Sequence, residues 1–285
     1  MAAAYHIVIL GADNPVGRAL TALVREKQHA LHAIYSTDWD LTQLEKVQHR
    51  LTELSPNIVI NCIRPFGSGT TPHIASVLAQ ACRGLDIPLV QLSSNAVFAG
   101  QEPQLFKEDD EAFPGTAIGQ QVLAVENAIV SSCPQHMILR VGWLFSSEGH
   151  DDVSKLLELA RSEEILYLSD AKTMYPTSAC DIALVLMAMV NQCRYAPLWG
   201  TYHYASAEKT TLFKFAEVVA AEARQYEDLP LQQIVADASH DMNAQFSEAS
   251  PRLNTKKILY TFGIKPKPWR QALSRILKTR YNKRK

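Results

Sequence analysis

The segment His6-Ile7-Val8-Ile9-Leu10-Gly11-Ala12-Asp13-Asn14-Pro15-Val16-Gly17 constrains the fold more than any other part of the chain. A short apolar run breaks at one glycine and resumes past a second as an amphipathic stretch over Val16 to Glu26, the pattern of a buried strand turning directly into a helix. The alternation continues with Leu31 to Tyr35 then Leu41 to Leu54, Asn57 to Cys62 then Pro72 to Gly84, Pro88 to Leu92 then Thr116 to Val130, and Met137 to Val141. Apolar runs without a polar face suit strands covered on both sides, so the chain reads as an α/β protein with a Rossmann-type doubly wound parallel sheet. After about Gly142 the rhythm loosens into helices at 153–161, 179–192, 211–226 and 269–278, with strands at 165–168 and 200–205. This predicts a smaller, interwoven C-terminal substrate-binding lobe. The expected division is 1–142, with parts of 170–200, for the Rossmann domain and 143–285 for the lobe.

Bulk properties narrow the partners. A chain of 285 residues, 47% of them hydrophobic, can bury a sizeable core, and a formal net charge of -1 gives no global reason to expect nucleic acid or a membrane. Lys278, Arg280, Lys283, Arg284 and Lys285 make a basic tail, read as a solvated end. The five cysteines are widely spaced, form no C-x-x-C pair and do not cluster with histidine, so they read as reduced thiols and no metal site is expected. The opening MAAAYHIVILGA lacks a basic leader and runs straight into the glycine turn, and no stretch approaches the roughly 20 apolar residues of a membrane span. A cytoplasmic protein is expected.

The glycine turn carries the first functional signal. Gly11 permits a tight turn, Gly17 permits close packing of helix on strand, and the N-terminus of a helix beginning at Pro15 or Val16 offers N–H groups to a phosphate. Asn14 stands where a middle glycine would let a pyrophosphate approach the backbone. Asp38, 21 positions after Gly17, lies near the place of an acidic ribose ligand, and Asp40 is read as a helix N-cap with the same second possibility. Neither Arg nor Lys occurs in Tyr35-Ser36-Thr37-Asp38, which favours NAD over NADP, while Arg64 offers a cation from the next loop.

The ordered set formed by the glycine turn, IVINC at 58–62, VQLSSNAVFAG at 90–100, MILRVGWLF at 137–145, MYPTSACDIA at 174–183, GTYHYA at 200–205 and PRLNTKKI at 251–258 resembles one family. It is similar to the dTDP-4-dehydrorhamnose reductases, a branch of the extended short-chain dehydrogenase/reductases that also includes the regulatory β subunit of methionine adenosyltransferase. The resemblance implies an NAD or NADP cofactor held by Gly11, Asn14, Pro15, Val16, Gly17, Asp38, Asp40, Cys62, Ile63 and Arg64. It further implies a nucleotide-sugar ligand near Ser94, Trp143, Pro176, Thr177 and Arg252. Ser94 falls on the family's catalytic hydroxyl, whereas Ile118 and Val122 fall on its Tyr and Lys, with Pro114, Gly119, Leu123, Ala124 and Glu126 holding the register. The connection Cys62-Ile63-Arg64-Pro65-Phe66-Gly67-Ser68-Gly69 is shorter than the family's. The one Y-x-x-x-K, Tyr281 to Lys285, lies in the tail and reads as chance.

Ile and Val cannot deliver a proton or hold a nicotinamide ribose, and general acid catalysis is worth about 10² to 10⁴ in rate. The sequence reading is therefore a catalytically degenerate, reductase-like binding protein, a sensor or a regulatory or assembly subunit with a protein partner yet to be named. Its alternative is an enzyme acting on a 4-keto nucleotide sugar, using Ser94 with water or running a lyase- or epimerase-like reaction, with His73 and Tyr175 the titratable groups to inspect. A third reading is an interaction protein whose crevice holds nothing, suggested by Asn14, Pro15 and the loop at Cys62.

Overall fold

The computed structural model describes residues 5–65, 69–101, 104–146, 151–240, 246 and 251–282. The first half builds β1 (His6–Leu10), α1 (Pro15–Glu26), β2 (Ala30–Ile34), α2 (Leu44–Leu54), β3 (Ile58–Asn61), α3 (Pro72–Gly84), β4 (Leu89–Ser94), a 3-10 turn (Asn95–Phe98), β5 (Leu105–Phe106), α4 (Ala117–Ser132) and β6 (His136–Val141). The second half adds β7 (Leu144–Phe145), α5 (Asp152–Ser162), β8 (Ile165–Leu168), β9 (Thr173–Met174), β10 (Thr177–Ser178), α6 (Ala179–Cys193), β11 (Gly200–Tyr204) and β12 (Thr210–Thr211). It ends with α7 (Leu212–Ala223), β13 (Gln233–Ala236), β14 (Arg252–Leu253), α8 (Lys256–Phe262) and α9 (Trp269–Asn282).

Six strands form one parallel sheet in the order β11-β6-β4-β3-β1-β2. Alternation along β1 sends Ile7 and Ile9 to a core shared with α1 and α6, and Val8 and Leu10 to a core shared with α2, α3 and α4. The sheet is thus covered on both faces. Helix starts are fixed locally: Pro15 and Pro72 occupy first-turn positions, and Thr71, Thr116, Asp151, Ser178 and Thr211 accept hydrogen bonds from the first turns of α3, α4, α5, α6 and α7.

A second core gathers α5, α7, α9 and the β8–β13 pair around Trp143, Phe145, Phe215 and Trp269, with the Phe215 ring 4.7 Å from that of Trp143 and 5.0 Å from that of Trp269. The chain returns to the sheet more fully than its rhythm predicts. Besides α6, both β11 and α8 belong to the first core, although 200–204 and 256–262 fall in the stretch assigned to the smaller lobe. Helix α2 starts at Leu44 rather than Leu41, because Asp40 folds the preceding residues into a turn on Thr42. No described helix is long and apolar enough to cross a membrane.

Candidate functional site

The sheet order places the turning point between β1 and β3, since the chain moves from β1 outward to β2 and then back across β1 to β3. Loops leaving the carboxyl ends of these two strands diverge and open a crevice. Leu10 pairs with Asn61 at that edge, and the Cys62 amide donates to the Leu10 carbonyl at 2.8 Å, so the two loops start level.

Gly11 adopts φ +77°, and a Cβ there would stand 2.8 Å from the Ile63 nitrogen. A Cβ on Gly17 would stand 2.0 Å from the Gly11 carbonyl oxygen. Both positions require glycine, and together they seat α1 directly on the turn. Asn14 is extended (φ -78°, ψ 157°), so the middle position uses no left-handed conformation, and its side chain does not cap α1. Its Nδ2 donates instead to Ser36 Oγ at 3.2 Å.

The resulting cleft, about 490 Å³, is lined by residues of the glycine turn, of the stretch 36–42 after β2, and of the loop after β3. It falls in the range of small-molecule and cofactor sites. Of the sequence candidates, Asn14, Asp40, Ile63 and Arg64 line it, whereas Gly11 and Gly17 set the adjoining turn without lining it. Pro15 begins α1, and Val16 is buried beneath it. Asp38 does not line the cleft: its carboxylate accepts from the Tyr35 amide at 2.8 Å and closes its own turn. Asp40 is not the N-cap of α2; it binds Thr42 and, at 2.9 Å, Lys46. The Thr42 hydroxyl, then Lys46, pull its carboxyl down to about 2. The Cys62 side chain is buried in the sheet core, where desolvation pushes its thiol up to about 12, so only its backbone faces the loop.

The described residues of the connection after β3 are held by a polar ladder. Asn61 Nδ2 reaches Gln91 Oε1 at 2.8 Å and Thr70 Oγ1 at 3.2 Å, its Oδ1 accepts from the Ile63 amide, and the Thr70 amide donates to the Arg64 carbonyl. Phe66, Gly67 and Ser68 lie outside the described residues, as do Lys283, Arg284 and Lys285 of the basic tail and of the Tyr281 to Lys285 motif.

Asp13 and Ser36 were not among the sequence candidates, yet they meet in the cleft. Asp13 Oδ1 accepts from the Ser36 amide at 2.7 Å and from Ser36 Oγ at 2.8 Å. Desolvation opposes the charge of Asp13 but is outweighed by the Ser36 bonds and Arg18, so its carboxyl is held below the usual range. The 23-residue separation left no local sequence signal for this pair.

Toward the other end of the sheet, Ser94 closes β4, half-buried, with Oγ accepting from the Ala96 amide at 3.1 Å. Neighbouring Asn95 donates to the Pro251 carbonyl at 2.8 Å, bringing the stretch before β14 beside the end of β4. Arg252 lies over the Tyr175 ring at 5.7 Å, and Tyr175 packs on the cluster of Val97, Phe98 and Val122. Ile118 is 53% exposed on the first turn of α4, and Val122 is fully buried. The other substrate-side candidates sit inside the protein. Trp143 donates its indole N–H to Asp152 at 2.7 Å, Pro176 is buried, and the Thr177 hydroxyl donates to the Tyr175 carbonyl and accepts from the Ser206 amide. His73 contacts the Thr42 carbonyl at 3.0 Å and belongs to the β2 side. No group of three potential metal ligands occurs among the described residues.

Fold and cleft together define a Rossmann-type α/β protein with a crevice of dinucleotide-binding form. The family described as RmlD substrate binding domain matches residues 5–63 and 72–282, and the chain belongs to that family. It is 26% identical to a dTDP-4-dehydrorhamnose reductase of Sinorhizobium fredii (strain NBRC 101917 / NGR234), over 95% of this chain and 96% of the relative. The same-named enzyme of Escherichia coli (strain K12) is 25% identical, over 95% and 97%. Among solved structures, a dTDP-4-dehydrorhamnose reductase from Bacillus anthracis str. Ames in complex with NADP superposes with a TM-score of 0.81 at 20% identity, covering 97% of this chain and 99% of that one.

Proposed function

We propose that this protein binds a nicotinamide dinucleotide in the β1–β3 crevice and reduces a 4-keto nucleotide sugar held beside Ser94, Tyr175 and Arg252. The observation that carries this reading is the glycine seat. Gly11 and Gly17 leave no room for a side chain, and they set the N-terminus of α1 on the turn that leads into the cleft. The residues fit the cofactor class. The end-to-end similarity to relatives named dTDP-4-dehydrorhamnose reductase supports the substrate class. Five unpaired cysteines suit a cytoplasmic setting.

When bound, the reduced nicotinamide supplies hydride to a carbonyl carbon. The chain's part is to hold the dinucleotide, orient the sugar and deliver a proton to the carbonyl oxygen. Ser94 Oγ already accepts from the Ala96 amide, which leaves its O–H to donate toward that oxygen, with water completing the transfer. Arg252 is exposed beside Tyr175 and offers a cation to a sugar-nucleotide phosphate.

A second reading has its own observation. Val122 is buried and Ile118 carries no titratable group, so α4 offers no acid at the two positions the family resemblance makes catalytic. On that reading the protein binds without turnover and acts as a sensor or as a regulatory or assembly subunit with a protein partner. Turnover of a dTDP-4-keto-6-deoxy sugar, followed by loss of reduced-nicotinamide absorbance, separates the two. Sustained oxidation that falls sharply in Ser94→Ala supports the reductase. Dinucleotide binding without oxidation, measured by calorimetry on the same preparation, supports the second reading.

A further inference from the structure

We infer that Asp13, positioned by Ser36, is the residue that reads the adenosine ribose and makes the cleft select a dinucleotide with an unphosphorylated 2′-hydroxyl. This rests on the dinucleotide reading above and concerns the one part of the site that reading leaves open.

Rossmann proteins that bind NAD commonly place an acidic side chain just beyond the second strand, where its oxygens accept from the ribose hydroxyls. Here that position offers a serine. Ser36 lies two residues past β2, and the nearby acids are engaged elsewhere: Asp38 on the Tyr35 amide, Asp40 on Thr42 and Lys46. The missing carboxylate arrives from the opposite wall. Asp13, exposed and lining the cleft, extends from the glycine turn to the tip of β2, where the Ser36 amide and hydroxyl both donate to Oδ1. Asn14 Nδ2 donates to the same hydroxyl oxygen, which leaves its single O–H proton directed at Asp13. The three side chains form a chain of bonds that runs from Asn14 through the Ser36 hydroxyl and ends on the Asp13 carboxylate, tying the glycine turn to the residues just past β2.

A carboxylate has about four acceptor sites, and Ser36 uses two, so capacity remains for a ribose hydroxyl. A charged acceptor makes a short, strong bond to such a donor. A 2′-phosphate reverses the balance, because it brings a charge of about -1.5 to -2 and, when fully ionised, no donor. Asp40 lines the same cleft, but its charge is already met by Lys46. Arg64 also lines it, and a role for Arg64 on a 2′-phosphate predicts the opposite preference.

The test is calorimetric titration of the purified full-length protein with NADH, NADPH, NAD and NADP. We expect NADH to bind about tenfold or more tightly than NADPH, and NAD likewise over NADP. Asp13→Asn, which keeps the shape and removes the charge, is expected to weaken NADH about fivefold or more and to bring the NADH-to-NADPH ratio close to one. Ser36→Ala, which frees the carboxylate without removing it, is expected to fall between. Circular dichroism melts establish that both variants fold. Tighter NADPH binding by the unaltered protein, or a ratio unchanged in Asp13→Asn, overturns the inference and leaves the dinucleotide reading standing. Failure of the folded, unaltered protein to bind any of the four overturns both.

Discussion

A methyl group at Gly17 would stand closer to the Gly11 carbonyl oxygen than any nonbonded contact allows, and the neighbouring atoms are backbone, which cannot rotate aside. Gly17→Ala is therefore expected to lift α1 from the turn. Overpacking of this kind costs about 1–3 kcal/mol, read as a lower urea midpoint, and dinucleotide affinity should fall with it. Gly263, with open space around its Cβ position, marks the contrast, since only its left-handed φ of +69° favours glycine there. At this scale the sequence was informative about the glycines and silent about their neighbours. Gly11 and Gly17 announce themselves by spacing. Asp13 and Ser36 do not, because the bond between them joins the turn after β1 to the turn after β2 across 23 residues, and nothing in either local stretch encodes that. Trp143 and Thr177 were legible as motif positions, but their polar atoms meet Asp152, Tyr175 and Ser206, partners that only the folded chain brings together.

Among the elements, α4 connects the parts of the site. Its N-cap, Thr116, accepts from the Gly119 amide at 3.1 Å, and a Cβ on Gly119 would come within 2.3 Å of the Ala96 carbonyl, so the helix start is pressed against the turn that follows Ser94. Thr116→Ala is expected to cost about 1 kcal/mol in thermal or chemical unfolding. If the turn after Ser94 depends on that start, the same variant should weaken nucleotide-sugar binding more than dinucleotide binding. The long strand and helix alternation was readable because each run is apolar on the side its layer demands. The short elements were not. β13 has only half-buried or exposed residues, α8 spans seven residues, and the two-residue strands carry too little pattern to show a period.

Across the whole molecule, a buried polar network ties helix, sheet interior and sheet edge together. Ser93 donates to Glu126 on α4; Arg140 on β6 grips both oxygens of Glu126, with Nη2 at 2.7 Å; and Arg140 Nη1 stands 3.4 Å from His203 Nε2 on β11. Burial, followed by the charges of Arg140 and Lys257, pulls the His203 imidazole down to about 3 against an ordinary 6.5. The folded state thus keeps His203 neutral where the unfolded chain protonates it. Its contribution is intact above pH 6.5 and is lost as pH falls from there toward 3, at about 1.4 kcal/mol per pH unit. Replacing His203 by Gln should flatten the stability profile in that window by about one proton, measured by urea unfolding across a pH series.

The edge strand β11 also gives the fold an order in time. Its partner β6 is buried along its whole length in the finished molecule, yet the residues that cover its outer side come from Gly200–Tyr204, dozens of positions later in the chain. Throughout synthesis of the intervening stretch, His136–Val141 offers an unpaired row of backbone donors and acceptors, a template on which another chain can add. A nascent protein stopped after α6 should accordingly aggregate rather than fold, whereas one extended through α8 gains β11, on which Glu108 accepts from the His203 amide and Lys257 donates to the Thr201 carbonyl. Ribosome-stalled chains of those two lengths, compared by protease resistance, would reveal where along the message the sheet becomes safe from its neighbours.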